Sequence, residues 1–189
     1  MPVAFATSIE SIPADDWNAF DLRGNPTLSH EFLAALEQAH CVGSHTGWSP
    51  NHLVLRDEQG TVRGAVPLYR KTHSWGEFVF DFSWAQAYAQ AGLRYYPKLV
   101  SMVPFTPAPG ARLLVRSDAS DAALVRRELA QHAIDSAKSQ QISTLHAHFL
   151  EPEDLDTLRE QGLLLRKDCQ FHWFNRGFDT FDEDRKSVV

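Results

Sequence analysis

The feature that most restricts the fold is the regular alternation of helical and extended patterns along the chain. The longest helical stretch, SDASDAALVRRELAQHAIDSAKSQQ (117–141), opens on Ser and Asp caps. A strand pattern, ISTLHAHFL (142–150), follows it. EPEDLDTLREQG (151–162) is a short helix with Pro152 near its start and Gly162 past its end. LLLRKDCQFHWFNRG (163–177) reads as a final long strand, and FDTFDEDRKSVV (178–189) is charged without a core-forming pattern.

The first half has the same character. Residues 3–9 fit a strand. Pro13, Trp17 and Phe20 mark a short helix, and Ser29 caps a second one with Glu31 in its first turn and a Phe32, Leu33, Leu36 stripe. NHLVLRD, EQG and TVRGAVPLYRKTH read as strand, turn and strand, with Pro67 at a bulge or edge. Residues 78–84 alternate as a strand, with Phe78, Phe80, Phe82 and Trp84 on one face and Val79, Asp81 and Ser83 on the other. Ser83 also suits the cap of a short helix ending at Gly92. Residues 98–103 are extended, PFTPAPG interrupts them, and ARLLV resumes. The expected class is α/β, a mixed sheet flanked by helices. No G-x-G-x-x-G opens a helix, so a dinucleotide fold is not expected.

Charge and cysteine content exclude several functions. The net charge is −6 and no basic run offsets it, so nucleic acid phosphates find no general attraction. Cys41 and Cys169 do not make a disulfide framework. The first residues lack a basic n-region, no apolar run is long enough to span a bilayer, and a cytoplasmic location is expected.

The candidate chemistry gathers around YYPKLVSMVPFTPAPG (95–110), where aromatic rings and prolines surround Lys98. A lysine beside Tyr95, Tyr96 and Phe105 can hold an anionic or carbonyl group while the rings stack, and prolines lower the ordering cost. The plainer reading is an aromatic-lined lysine on an exposed strand. Asp81, inside FVFDFSW, is expected to have a raised pKa and to accept a proton from an amine, unless it is simply an outward-facing charge. Glu77 shares its face and has the weaker case. His146 and His148 lie two apart on one strand face, but a further metal ligand is missing, and no metal site is expected. No nucleophile motif is present, and Cys169 beside Asp168 is a poor thiolate.

SHEFLAALE, GEFVFDFSWAQAYAQAGLRYYPKL, PFTPAPGARLLV and QFHWFNRGFDTFDE, taken in order from about residue 25 to about residue 183, resemble the FemAB-like predicted N-acyltransferases. These are relatives of the Fem-type peptidoglycan-bridge transferases within the GNAT-like superfamily. The resemblance implies a GNAT-like fold, a twisted mixed sheet flanked by helices with a strand splay as the substrate cleft. It implies transfer of an acyl or aminoacyl group to a small-molecule or peptide-like amine. By analogy the donor is an acyl thioester or an aminoacyl-tRNA, and the acceptor is linked to peptidoglycan or cell-wall precursors. Family members carry two such domains, so residues 1–178 are expected to be the first, with 179–189 a truncated charged tail. A CoA-binding R/Q-x-x-G-x-G/A loop would precede the main helix, but RLLVRSDASDAA (112–123) has no glycine, and no CoA binding is expected of this half. The expected acceptor surface is Tyr95, Tyr96, Lys98, Phe105 and Thr106 with Lys71 and His73, and the expected base is Asp81 or His172. LHAHF departs from the family form, which argues against a shared catalytic role for His148. The alternative is a non-catalytic GNAT-like module that binds a ligand or partner, with the aromatic face as a homodimer contact.

Overall fold

Pro67 divides a long hairpin into two half-sheets. The computed structural model describes residues 1–186. Strands β2 (Trp48–Pro50) and β3 (His52–Arg56) run antiparallel to β5 (Leu68–Lys71) and β4 (Val62–Val66) respectively. Proline has no N–H for the ladder, so pairing breaks at Pro67, and one hydrogen bond from Asn51 N–H to the Leu68 carbonyl (2.8 Å) carries the hairpin across the break. One sheet has the order β1-β3-β4-β7, with β1 at Val3–Ala6 and β7 at Leu114–Val115. The other has the order β2-β5-β6-β8, with β6 at Lys98–Ser101 and β8 at Leu145–Ala147. Only β6 and β8 pair in parallel.

Helices α1 (Ala14–Asn18) and α2 (His30–Gln38) cover one side of the first sheet, and α4 (Ala122–Ser139) covers the other. Strand β3 is therefore buried on both faces. Leu53 and Leu55 pack with Val125 and Leu129 of α4, while Val54 packs with Trp17, Leu28 and Leu33. Each fully buried Leu or Val contributes about 1.5–3 kcal/mol from transfer. Gly64 is the point of closest approach: a Cβ there would lie 2.9 Å from the Leu114 carbonyl and from Val125 and Leu129. Helix α5 (Pro152–Glu160) closes the main core through Leu158.

Two expected strands are absent. Residues 78–81 do not pair with any strand, and α3 (Phe82–Gln90) starts one residue ahead of the expected Ser83 cap, with Asp81 at the cap position. Side-chain ion pairs of Glu77 and Asp81, described below, hold this segment instead of a ladder. Residues 163–177 also make no ladder bonds. Their ties to the body include Arg166 donating to the Phe80 carbonyl (2.9 Å) and Gln170 donating to the Pro107 carbonyl (2.8 Å). A strand pattern becomes a strand only where a free edge accepts it, and here pairing stops at β8. A short helix α6 (Phe181–Lys186) follows, and residues 187–189 of the expected charged tail lie outside the described residues. No helix among the described residues is long and apolar enough to cross a membrane.

Asp154, in the first turn of α5, is buried and accepts from the backbone N–H groups of Arg112 (2.6 Å) and Leu113 (3.1 Å). Asp154→Ala would leave both donors buried and unpaired. Urea unfolding should show a loss of about 2–4 kcal/mol, against less than about 1 kcal/mol for the neighbouring exposed Glu153→Ala.

Candidate active site

The second sheet has two unlike faces. Leu99, Leu68 and Leu145 point toward the main core, as strand alternation requires. Trp48, Tyr69 and Val100 point to the opposite side, and Lys71, Lys98, His146 and His148 continue that second face. Lys71 and Lys98 are directly opposed across β5 and β6, and both are wholly buried. Like charges opposed across strands repel, and burial sharpens the cost. The turn between β5 and α3 supplies the answer with Glu77 and Asp81, both buried.

Lys98 Nζ donates to Ser74 Oγ (2.8 Å), Glu77 Oε2 (2.8 Å) and Asp81 Oδ2 (2.5 Å), which uses all three of its protons. Lys71 Nζ donates to the Trp75 carbonyl (2.9 Å), sits 3.4 Å from the Trp48 ring centroid, and lies 3.9 Å from Glu77 Oε1. Tyr95 donates to Asp81 Oδ2 (2.6 Å), and its hydroxyl is 3.3 Å from His146 Nε2. His148 Nε2 lies 3.3 Å from Glu77 Oε2. The Tyr96 hydroxyl meets Ser74 Oγ at 2.8 Å. The other oxygens of the two carboxylates, Glu77 Oε1 and Asp81 Oδ1, are buried without a hydrogen-bond partner.

These contacts set the charges. Burial drives Lys71 down to about 7, with the Lys98 charge adding to the fall and Glu77 opposing it. Burial alone would raise Asp81, but hydrogen bonds from Lys98, Ser74 and Tyr95 and the Lys98 charge outweigh it and hold the carboxyl at about 2. The expectation of a raised Asp81 is thus reversed: the residue is a lysine-bound carboxylate. Burial, then Lys98 and His148, lowers His146 to about 4, so it is a neutral ring at physiological pH. Burial and the neighbouring Asp81 push the Tyr95 phenol up.

The structure brings together Lys71, Asp81, Tyr95, Tyr96 and Lys98 of the expected residues. Lys98 is not the lysine of an exposed strand, because its two carboxylate partners draw it into the interior. Phe105 touches the assembly indirectly, with its ring 5.3 Å from that of Trp48. Thr106 bonds locally to the Pro104 carbonyl (3.0 Å). His73 shapes the turn: its Nε2 is 2.8 Å from the Thr46 carbonyl, and its Nδ1 accepts from Trp75 N–H (3.2 Å). His172 is exposed, stacked on Phe174 and 3.3 Å from Gln170, with no contact to the cluster. Sequence reasoning underrated Glu77 and His148 and missed Ser74. The signal available for Glu77 was its spacing of four from Asp81 within an aromatic run otherwise free of acids.

Arg112, wholly buried, ties the proline loop to the end of β8. Its guanidinium donates to the carbonyls of His148 (2.9 Å), Ala108 (3.0 Å) and Ala111 (3.0 Å). The turn entering α4 carries Asp118, bound by Arg116 (3.0 Å), and Asp121, bound by Arg63 (2.6 Å). Two carboxylates and no glycine at that helix start do not suit a pyrophosphate.

The family model for FemAB-like proteins, described as peptidoglycan biosynthesis/recognition, matches residues 8–186. The chain belongs to the FemAB-like family. This FemAB-like chain also shares its fold with solved acetyltransferases, which confirms the GNAT-like architecture. A ribosomal-protein-alanine N-acetyltransferase from Brucella melitensis biovar Abortus 2308 aligns at 15% identity over 93% of this chain and 100% of that one, with a TM-score of 0.50. A probable acetyltransferase aligns at 16% identity over 95% and 99%, with a TM-score of 0.50. A tetramutant of the BH1408 protein from Bacillus halodurans aligns at 11% identity over 92% and 100%, with a TM-score of 0.52. No curated protein matches the FemAB-like chain in sequence.

The depressed folded-state values give a direction to stability. The unfolded chain binds more protons at His146 between about 4 and its ordinary 6.5, so that contribution is complete above 6.5 and is lost as pH falls to 4. Asp81 adds a further loss between its ordinary 3.8 and about 2. Lys71 makes stability rise between about 7 and its ordinary 10.5. Thermal unfolding should show Tm falling from pH 6.5 to pH 4, with His146 contributing a loss of stability of no more than about 3 kcal/mol. His146→Gln should flatten that limb.

Proposed function

We propose that this chain is an N-acyltransferase, or the acceptor-binding half of one, moving an acyl or aminoacyl group to an amine. The observation that carries the reading is the pair of buried carboxylate oxygens that lack a hydrogen-bond donor, Asp81 Oδ1 and Glu77 Oε1, the latter 3.9 Å from Lys71 Nζ. Such oxygens are costly to bury, and clusters of perturbed titratable groups mark functional sites. An ammonium group carries the three donors that such oxygens lack.

In this reading the acceptor amine arrives protonated and docks on those two oxygens. Lys71, neutral above about pH 7, takes its proton. The free amine attacks the acyl carbonyl, a C–N bond forms, and the bond to the donor's sulfur or ribose oxygen breaks. The leaving atom recovers a proton, supplied by the Lys71 ammonium, and the second proton that the nitrogen loses as the amide forms is released to water. Asp81 and Lys98 hold the turn in place. Family membership supports the transferase class and, through its description, a peptidoglycan or cell-wall precursor as acceptor. The donor, an acyl thioester or an aminoacyl-tRNA, rests on analogy alone.

A second reading, a binding module without turnover, is favoured by the complete burial of Lys98. One assay separates them. The purified chain is mixed with acyl-thioester and aminoacyl-tRNA pools and amine-bearing precursor peptides, and amide products are read by mass spectrometry. The transferase reading expects product, a kcat that rises with pH through about 7, and a loss of that limb with a drop of roughly 10²–10⁴-fold in Lys71→Met. Glu77→Gln should raise KM for the amine. Peptide binding without product from either donor pool would establish the binding module instead.

A further inference from the structure

Between Glu58 and Asp118 the sequence contains two acidic residues, Glu77 and Asp81, and both are buried against Lys98. A chain of net charge −6 therefore has a long central stretch with no exposed carboxylate. Within it lie Trp75, Phe78, Phe80, Phe82 and Trp84, each between 42% and 69% exposed, and Leu93 at 60%. Three of the rings form one surface: Trp75 lies 5.4 Å from Phe82, and Phe80 lies 6.4 Å from Phe82. Helix α3, FSWAQAYAQ, has no charged residue and buries none of its side chains. At 150–250 Å² per aromatic side chain, the patch exposes on the order of 600 Å², at or above the largest apolar patch of an ordinary monomer.

Its charged neighbours are mostly basic. Arg94 follows Leu93 and is exposed, and Arg166 donates to the Phe80 carbonyl (2.9 Å) with Lys167 beside it. Asp168, 4.0 Å from Arg166, offsets one of these charges, which leaves Arg94 and Lys167. A two-fold contact between copies would bring the same basic rim against itself without carboxylates from this stretch to answer it. A bilayer surface with anionic headgroups offers what the patch lacks: an apolar layer for the rings and negative charge for the arginines. Tryptophan and tyrosine favour that boundary, and aromatic-faced surface helices bind there without spanning it.

We infer that residues 75–94, the aromatic turn with α3 and Arg94, dock this protein on the surface of an anionic lipid bilayer. The inference stands apart from the proposed transfer chemistry. The full chain, carrying Trp173→Phe so that Trp75 and Trp84 are its exposed tryptophans, is mixed with phosphatidylglycerol/phosphatidylcholine vesicles. Docking expects co-sedimentation, a blue shift, and quenching by bromolipids. Trp75→Ser with Phe80→Ser and Trp84→Ser should lower partitioning at least about tenfold. These side chains are exposed, and an unchanged Tm verifies the fold. Arg94→Glu alone should weaken binding to the anionic vesicles and leave pure phosphatidylcholine unaffected. Absence of quenching, or equal partitioning of the triple variant, overturns the inference. So does a lipid-free dimer in light scattering that the triple variant abolishes, since the face would then join two copies.

Discussion

Two lysines face each other across neighbouring strands inside the protein, and the local structure around the site follows from that placement. β5 and β6 can pair in this register only if negative charge comes to Lys71 and Lys98. Glu77 and Asp81 bring it, and in doing so they pull the chain between β5 and α3 inward at two points four residues apart. The residues between and beside them turn outward, which is why Phe78 and Phe80 are exposed. One electrostatic requirement thus produces both the buried cluster and the aromatic surface above it.

Much of the architecture was legible in sequence because it rests on local rules. Ser29 caps α2 by accepting from Phe32 N–H, Pro67 ends β4, and the long pattern after Asp121 is α4. Asp121 itself makes no side-chain cap bond, since Arg63 holds it. The strand readings over 78–84 and 163–177 failed for a common reason. Alternation records which residues suit a pleated surface, but a ladder also needs a partner edge, and that is decided by chain segments far away in sequence.

The site was legible in part for similar reasons. Lys98, Tyr95 and Tyr96 stood out by composition, and their meeting with Asp81 and Lys71 required the β5–β6 register. Local surroundings could not give the sign of the Asp81 shift, because the aromatic neighbours suggest desolvation while the deciding charge is 17 positions away at Lys98. His148 looked incidental within LHAHF, yet parallel pairing of β8 with β6 sets it beside Glu77. His172 had the right chemistry on a segment that runs elsewhere.

The break at Pro67 allows a division of labour. The half-sheet ahead of it is sandwiched between helices and holds most of the apolar packing. The half-sheet beyond it packs on the main core with one face, while its other face divides between a small apolar cluster around Trp48, Tyr69 and Val100 and the ionisable groups. Substitutions around the lysines can therefore retune reactivity while the sandwiched half sustains folding, so the imino acid acts as a partition between what endures and what is open to change.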